Sequence, residues 1–391
     1  MQRTLALIVA ILLAALAPAL ANQEPAYIVI DANEGRVLLH SEADQPWYPA
    51  SVTKMMTAYV AFRSLRAGEL TMTSPVRISQ NALNQAPSKM GFKVGTILNI
   101  DNALKMMLVK SANDIAVAVA ETVGGSEAKF VALMNAEAAR LGMASTHFNN
   151  PNGLPDDGQV TTARDLAVLA RAVWAEFPEY RDYFRIPAIR SGKKILRSAN
   201  DLLEHYRGTT GMKTGFICAS GFNIVASAER NGRTLITVVL GAQSSQQRGE
   251  AAARLMTQGF ASWFGATKPD LATFRAGPAR GAPVNLREQI CGKAAAAARA
   301  EVNDSGDNED PWLTSLGRNS SLVPRFVLME PVQVYTGRAD PMPGSSGGGI
   351  QRGTMDNVPM PHFRPRQRQA ADNMFAPAFG DDAAPLSLAP N

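Results

Sequence analysis

Strand-type runs open and close the first two thirds of the chain, and helix-type runs fill the stretch between them. Residues 26–40, AYIVIDANEGRVLLH, read as two strands around the turn Asn33-Glu34-Gly35. Near residue 209 the strand pattern returns. TTGMKTG leads into GFNIVASAE, Asn231-Gly232 makes a tight turn, and TLITVVLGA runs back. Strands at both ends of a helical interior predict one sheet whose first and last parts are neighbours, packed by helices, an α/β domain. Hydrophobic residues make up 46% of the chain, enough to fill such a core.

The interior reads as helices. PASVTKMMTAYVAF opens one, residues 64–96 are mixed and loop-rich, and LNIDNALKMMLVKSANDIAVAVAETV holds two helical stretches that meet at Lys110-Ser111-Ala112-Asn113. In SEAKFVALMNAEAARLGM the spacing puts Phe130, Leu133, Met134, Ala138 and Leu141 on one face, with Ser126 as N-cap. NPNGLPDDG, residues 150–158, is turn chemistry, TARDLAVLARAVWAEF is another helix, and QQRGEAAARLMTQGFASWF is a long closing one.

The two ends differ from this body. Residues 1–21 carry Arg3, an apolar stretch and Ala19-Leu20-Ala21, the pattern of a cleavable signal peptide. The expected mature chain is exported, periplasmic and without a transmembrane helix. Beyond residue 265 lie more than half of the prolines, with runs such as NDSGDNEDP and PMPGSSGGG. Residues 266–391 are therefore expected to be a mostly disordered extension, in which RFVLMEPVQVYTG is a strand-like island. That island fits either packing on the main domain or a small module of its own. The domain of interest spans 22–265. Net charge is +5 with scattered basic residues, which gives nucleic-acid binding little support. Cys218 and Cys291 are able to pair in an oxidising compartment, and two separate buried thiols fit the sequence equally. His40, His147, His205 and His362 lie far apart without metal spacing, and no glycine pattern cradles phosphate, so no metal or organic cofactor is expected.

Three short elements recur in a meaningful order: Ser51-Val52-Thr53-Lys54, Ser111-Ala112-Asn113 and Lys213-Thr214-Gly215. Each is common alone; together they form the S-x-x-K, S-x-N, K-T-G set of serine acyl-enzymes. A serine hydroxyl needs a neighbouring base to become a nucleophile. A spacing of three residues on a helix sets Lys54 one turn from Ser51. Burial and a second cation, Lys213, would lower the lysine pKa towards neutrality. Ser111 is expected to relay a proton to the leaving nitrogen, and Asn113 to hold a substrate amide. Lys213 and Thr214 are expected to grip a substrate carboxylate, and Gly215 to let a substrate backbone lie close to the strand. The backbone N–H groups of Ser51 and Phe216 would form the oxyanion hole.

Over residues 25–265 the sequence resembles the D-alanyl-D-alanine carboxypeptidases, low-molecular-mass penicillin-binding proteins of peptidase family S11. The likeness rests on PASVTKMMTAYV, MLVKSANDIAVAVAE, FNNPNGLPDDG, TTARDLA and GMKTGF…SGFNIVASAERNGRTLITVVLGA. It implies a β-lactamase/DD-peptidase-like domain with an antiparallel sheet packed by helices. It also implies removal of terminal D-alanine from the peptidoglycan stem pentapeptide through an acyl-enzyme on Ser51, with β-lactams acylating the same serine. Arg248 matches a position that binds the terminal carboxylate, and Arg197 precedes Asn200-Asp201-Leu202-Leu203, similar to the family's Asn-x-Leu-Leu block.

Three departures stand out. The last residues show no amphipathic stripe or basic face, so the family's membrane helix is not expected there; Ala112 stands where glycine is common, and Cys218 follows the K-T-G strand. A β-lactamase role is disfavoured, since no Glu-x-x-Leu-Asn segment lies between Asn113 and Lys213. An endopeptidase cutting D-alanyl cross-links would use the same groups and stays open. A catalytically dead peptidoglycan-binding protein is disfavoured by the intact Ser51, Lys54, Ser111 and Lys213.

Overall fold

The computed structural model describes residues 25–262, 268–277, 281–293 and 320–337. The expected signal peptide and most of the extension lie outside these residues. Strands β1 (Ala26–Asp31) and β2 (Val37–Ser41) form the opening hairpin, and β7 (Thr209–Ile217), β8 (Gly221–Arg230) and β9 (Arg233–Ala242) form the closing meander. They join in one five-stranded sheet of order β2-β1-β9-β8-β7, antiparallel throughout. The first strand lies beside the last, with Ile28 opposite Val238, as the sequence pattern requires.

Side-chain alternation along the strands feeds two cores. Ile28, Ile30, Ile236, Val238 and Leu240 face the larger one, with α1 (Lys54–Arg66), α3 (Ile100–Val109), α4 (Asn113–Gly124), α5 (Glu127–Arg140) and α6 (Ala163–Glu176). Val29, Leu235 and Val239 face the other way, onto α8 (Ser245–Ala261). A short α2 (Gln80–Asn84) and the strand pair β3 (Pro75–Arg77) with β4 (Ile97–Asn99) occupy the region read as loop-rich. Ser126 caps α5 by accepting from Lys129 N. Phe130, Met134 and Ala138 are buried along that helix, but Leu133 is 43% exposed. Leu133 departs from the expected face because the buried line runs at i, i+4, i+8 and leaves i+3 on its outer flank.

Between α6 and β7 the chain makes an excursion: the hairpin β5 (Ala188–Ser191) and β6 (Lys194–Arg197), then the single turn α7 (Leu202–His205). Parts of the extension pack back on the body. Cys218 and Cys291 form a disulfide, with Cα atoms 5.6 Å apart, that ties α9 (Arg287–Cys291) to the end of β7. Leu286 N donates to Ala219 O in the same place. The strand-like island supplies β10 (Val332–Val334), which pairs in parallel with β5, so it packs on the main domain. Among the described residues no helix is long and apolar enough to cross a membrane.

The disulfide closes a loop with a sequence separation of 73 residues. Cross-links of this span stabilise by restricting the unfolded chain. Replacing both cysteines by serine is expected to lower the unfolding free energy by about 2–4 kcal/mol. Denaturant titration checks this, and an unchanged midpoint would remove the tether from the stability of the domain.

Candidate active site

Four distant segments converge on one buried amine. The first is a 3₁₀ turn, Ala50–Thr53, which carries Ser51 and runs directly into α1 at Lys54. The second is the junction between α3 and α4, which carries Ser111 and Asn113. The third is the turn Pro151-Asn152-Gly153, and the fourth is β7 with Lys213. Lys54 Nζ lies 2.9 Å from Ser51 Oγ, 2.7 Å from Asn113 Oδ1 and 2.6 Å from the Asn152 carbonyl oxygen. The side chain of Lys54 is fully buried, as are Val52, Met55 and Met56 next to it in the sequence.

Burial drives the Lys54 pKa well below that of an ordinary lysine. The charge of Lys213 adds to the effect, and Asp114 opposes it. Two of the three neighbours of Nζ, the Asn113 oxygen and the Asn152 carbonyl, can only accept. A neutral amine satisfies both with its two N–H bonds. Its lone pair is then left facing the Ser51 hydroxyl, which is the arrangement of a general base against a nucleophile.

Lys213 is the second buried cation. Its Nζ donates to Ser111 Oγ at 3.0 Å and to the Thr214 carbonyl at 2.9 Å. Burial and, secondarily, the charge of Arg248 push its pKa down to about 7. Arg248 is buried at the start of α8, donates from Nη2 to Ala199 O at 2.8 Å and pairs with Asp201 at 3.5 Å. Burial lowers its pKa to about 10, against the pull of Asp201. Arg248 Nε is buried without a hydrogen-bond partner among the described residues. Lys213 and Arg248 thus bring two desolvated positive groups together, Lys213 against Ser111, an arrangement suited to an anionic group.

Local backbone strain gathers at these residues. Ala50 has φ +48° and Ser111 φ +60°, left-handed values uncommon for non-glycine residues. Gly153, at φ +84°, lies so close to the Ser51 turn that a Cβ there would come within 1.9 Å of Ala50 O. Asp114, fully buried, accepts from the backbone N–H groups of Met90 and Gly91 and fixes that loop over the start of α4.

Ser51, Lys54, Ser111, Asn113, Lys213, Thr214 and Gly215 come together, and three of them make contacts the sequence did not specify. Asn113 is buried, its oxygen accepting from Lys54 and its Nδ2 donating to Ala86 O, so its amide orients the lysine. Ser111 Oγ accepts from Lys213, while the donors of Lys54 go elsewhere. Gly215 makes room for the protein's own turn: a Cβ would sit 2.9 Å from Pro49 O and 3.0 Å from Ser51 N. The same contact puts the Ser51 amide beside β7, next to Phe216. Phe216 is 41% exposed, with its ring centroid 4.4 Å from that of Phe222. Arg197 is outside the site, half exposed and paired with Glu204. The Asn152 carbonyl and Asp114 were not singled out in the sequence. The turn residues around Gly153 were the available signal for the first, and a buried acid at a helix start has none of comparable strength.

The profile of the D-alanyl-D-alanine carboxypeptidase family matches residues 14–244. The chain belongs to this family. The enzyme D-alanyl-D-alanine carboxypeptidase DacC of Escherichia coli K12 is 35% identical over 258 residues, 64% of this chain and 64% of that one. DacF of Bacillus subtilis is 31% identical, over 62% of this chain and 64% of its own length. The chain therefore spans a little under two thirds of these curated relatives. Among solved structures, the carboxypeptidase DacD of Francisella tularensis matches with TM-score 0.58 and 31% identity, covering 62% of this chain and 71% of that one. Penicillin-binding protein D2 of Listeria monocytogenes in its cefotaxime-bound form matches with TM-score 0.56 and 30% identity, covering 62% of this chain and 99% of that one.

Because Gly215 meets backbone atoms on its crowded side, Gly215→Ala is expected to displace the Ser51 turn. Misplacing a nucleophile by a fraction of an ångström to an ångström costs roughly 10²-fold in rate. If Ser51 is the nucleophile, its labelling by a fluorescent penicillin, followed by stopped flow, should slow by about that factor in a variant that still unfolds cooperatively.

Proposed function

We propose that this protein is a serine D-alanyl-D-alanine carboxypeptidase that removes the terminal D-alanine of peptidoglycan stem peptides through an acyl-enzyme on Ser51. The observation that carries this reading is the fully buried Lys54 amine within hydrogen-bonding distance of Ser51 Oγ. It is joined by membership of a family whose named relatives are D-alanyl-D-alanine carboxypeptidases. The Lys54 amine takes the Ser51 proton as Oγ attacks the carbonyl carbon of the penultimate D-alanine. Negative charge on the carbonyl oxygen is met by the N–H groups of Ser51 and Phe216; one such donor is worth about 3 kcal/mol. The C–N bond breaks, the leaving amine takes a proton by way of Ser111, and D-alanine departs. Water then hydrolyses the ester and regenerates Ser51. Lys213, Thr214 and Arg248 hold the terminal carboxylate.

In the same reading β-lactams acylate Ser51, as the ligands of the Listeria monocytogenes protein suggest by analogy. The setting is the periplasm, reached through a signal peptide over residues 1–21. The Cys218–Cys291 disulfide supports an oxidising compartment.

Two tests follow. Ser51→Ala is expected to abolish both labelling by fluorescent penicillin and D-alanine release from a pentapeptide; release that survives the change would exclude Ser51 as nucleophile. The second test is a pH profile of kcat/KM, which reports the ionisations of the free enzyme. The rate should climb with pH as Lys54 loses its proton, because the neutral amine is the active form. It should fall again through about 7 as Lys213 loses the charge that holds the carboxylate. Lys213→Arg keeps its charge at higher pH and should move the falling limb upward. A limb that does not move belongs to some other group.

A further inference from the structure

The excursion between α6 and β7 holds Arg248 from behind. Ala199 O accepts from Arg248 Nη2, and Asp201 pairs with the same guanidinium, so the pose of Arg248 depends on where residues 199–201 sit. Those residues lie between the β5–β6 hairpin and α7, and neither element belongs to the main sheet. Ile189 of the hairpin and Leu202 of α7 already seat in the two cores, and a second segment adds to that hold.

Residues 320–337 do so from two sides. On the α7 side, Val323 N donates to His205 O at 2.8 Å and Phe326 N to Glu204 O at 2.9 Å. The Arg325 guanidinium grips Glu204 Oε2 with both Nε (3.1 Å) and Nη2 (2.7 Å). Leu322 is buried in the core beneath α8, in the same cluster as Leu202 of α7. On the hairpin side, β10 extends β5 in parallel, with Val332 opposite Ile189 and Val334 opposite Ser191. The segment is then fastened to the helical body, where Tyr335 N donates to Asn102 Oδ1 and Gly337 N to Ile97 O. Residues 320–337 lie beyond the stretch matched by the family profile, which stops at 244.

We infer that residues 320–337 are a splint, and that Leu322 and Arg325 are positioning residues which set the Arg248 guanidinium for the substrate carboxylate. This rests on the reading of Arg248 as a carboxylate ligand. The splint touches no reacting atom. It acts on binding of the carboxylate, and leaves attack by Ser51 and proton transfer by Lys54 alone. Arg248, the anchor 199–201, α7 and the splint are connected by direct contacts at every step.

The test uses the full chain and two substrates: a peptide ending in a D-alanyl-D-alanine carboxylate, and an ester whose neutral aryl alcohol leaving group has no carboxylate. Arg325→Glu sets a like charge against Glu204, and Leu322→Asp loosens the second grip. Both are expected to raise the peptide KM by roughly three- to tenfold, within the span of about 2- to 30-fold that such long-range couplings cover, with kcat and ester turnover unchanged. Arg325→Lys should keep a KM close to that of the parent. Arg325→Glu is a change at a part-exposed site and keeps the test open if Leu322→Asp does not fold. Equal loss on both substrates would assign the segment a general structural role and overturn the proposal. Arg248→Ala separates the two levels. If its peptide KM rises while that of Arg325→Glu does not, the splint is wrong. If its own KM is unchanged, the carboxylate reading of the pocket fails, and the proposal with it.

Discussion

A primary amine in a dry interior is the constraint on which this structure turns. Burying a charged ammonium is expensive, and proteins that do so supply partners or let the proton go. Around Lys54 both remedies are present. Asn113 and the Asn152 carbonyl accept from Nζ, while burial and the nearby Lys213 favour the neutral form. In the neutral form the lone pair of Nζ would face Ser51 Oγ, 2.9 Å away. The apolar residues of α1 therefore serve the core and the chemistry at once.

That amine also dictates how segments remote in sequence must meet. The start of α1, the start of α4, the Asn152 turn and the middle of β7 all approach one another within hydrogen-bonding distances. Close approach is made possible by missing side chains at Gly153 and Gly215, each facing backbone of the Ser51 turn. It is accompanied by left-handed backbone at Ala50 and Ser111, conformations that cost roughly 1–3 kcal/mol each and persist where packing over-determines them. Since β7 is an edge strand of the sheet, its Lys213-Thr214-Gly215 stretch has β8 on one side only. The extension then adds a covalent tie at Cys218 and a second brace along the β5–β6 hairpin and α7.

Much of this was legible from residue types. Apolar alternation and tight-turn residues placed the strands at both ends of the domain, and β1 pairs with β9 accordingly. The i, i+3 spacing of Ser51 and Lys54, and the helix junction at Ser111, translated directly into geometry because helical spacing is local. Finer roles were less legible. Asn113 holds the lysine through its oxygen and Ala86 O through its Nδ2, contacts that no spacing in the sequence specified. Leu133 proved to be exposed because helical periodicity gives a face but not its width. Arg197 and Arg248 look alike in sequence, yet one is half exposed and the other enclosed.

The amino-acid sequence by itself determined which elements form, which short motifs they carry and what chemistry those residue types can perform. These follow from local stereochemistry and the spacing of apolar groups along a few turns or strands. Only the tertiary structure decided which groups are dry, which amine faces which acceptor, that Cys218 meets Cys291, and that residues 320–337 return to brace the Arg248 anchor. Desolvation and long-range contact depend on where distant segments come to rest, and no window of sequence contains that distance.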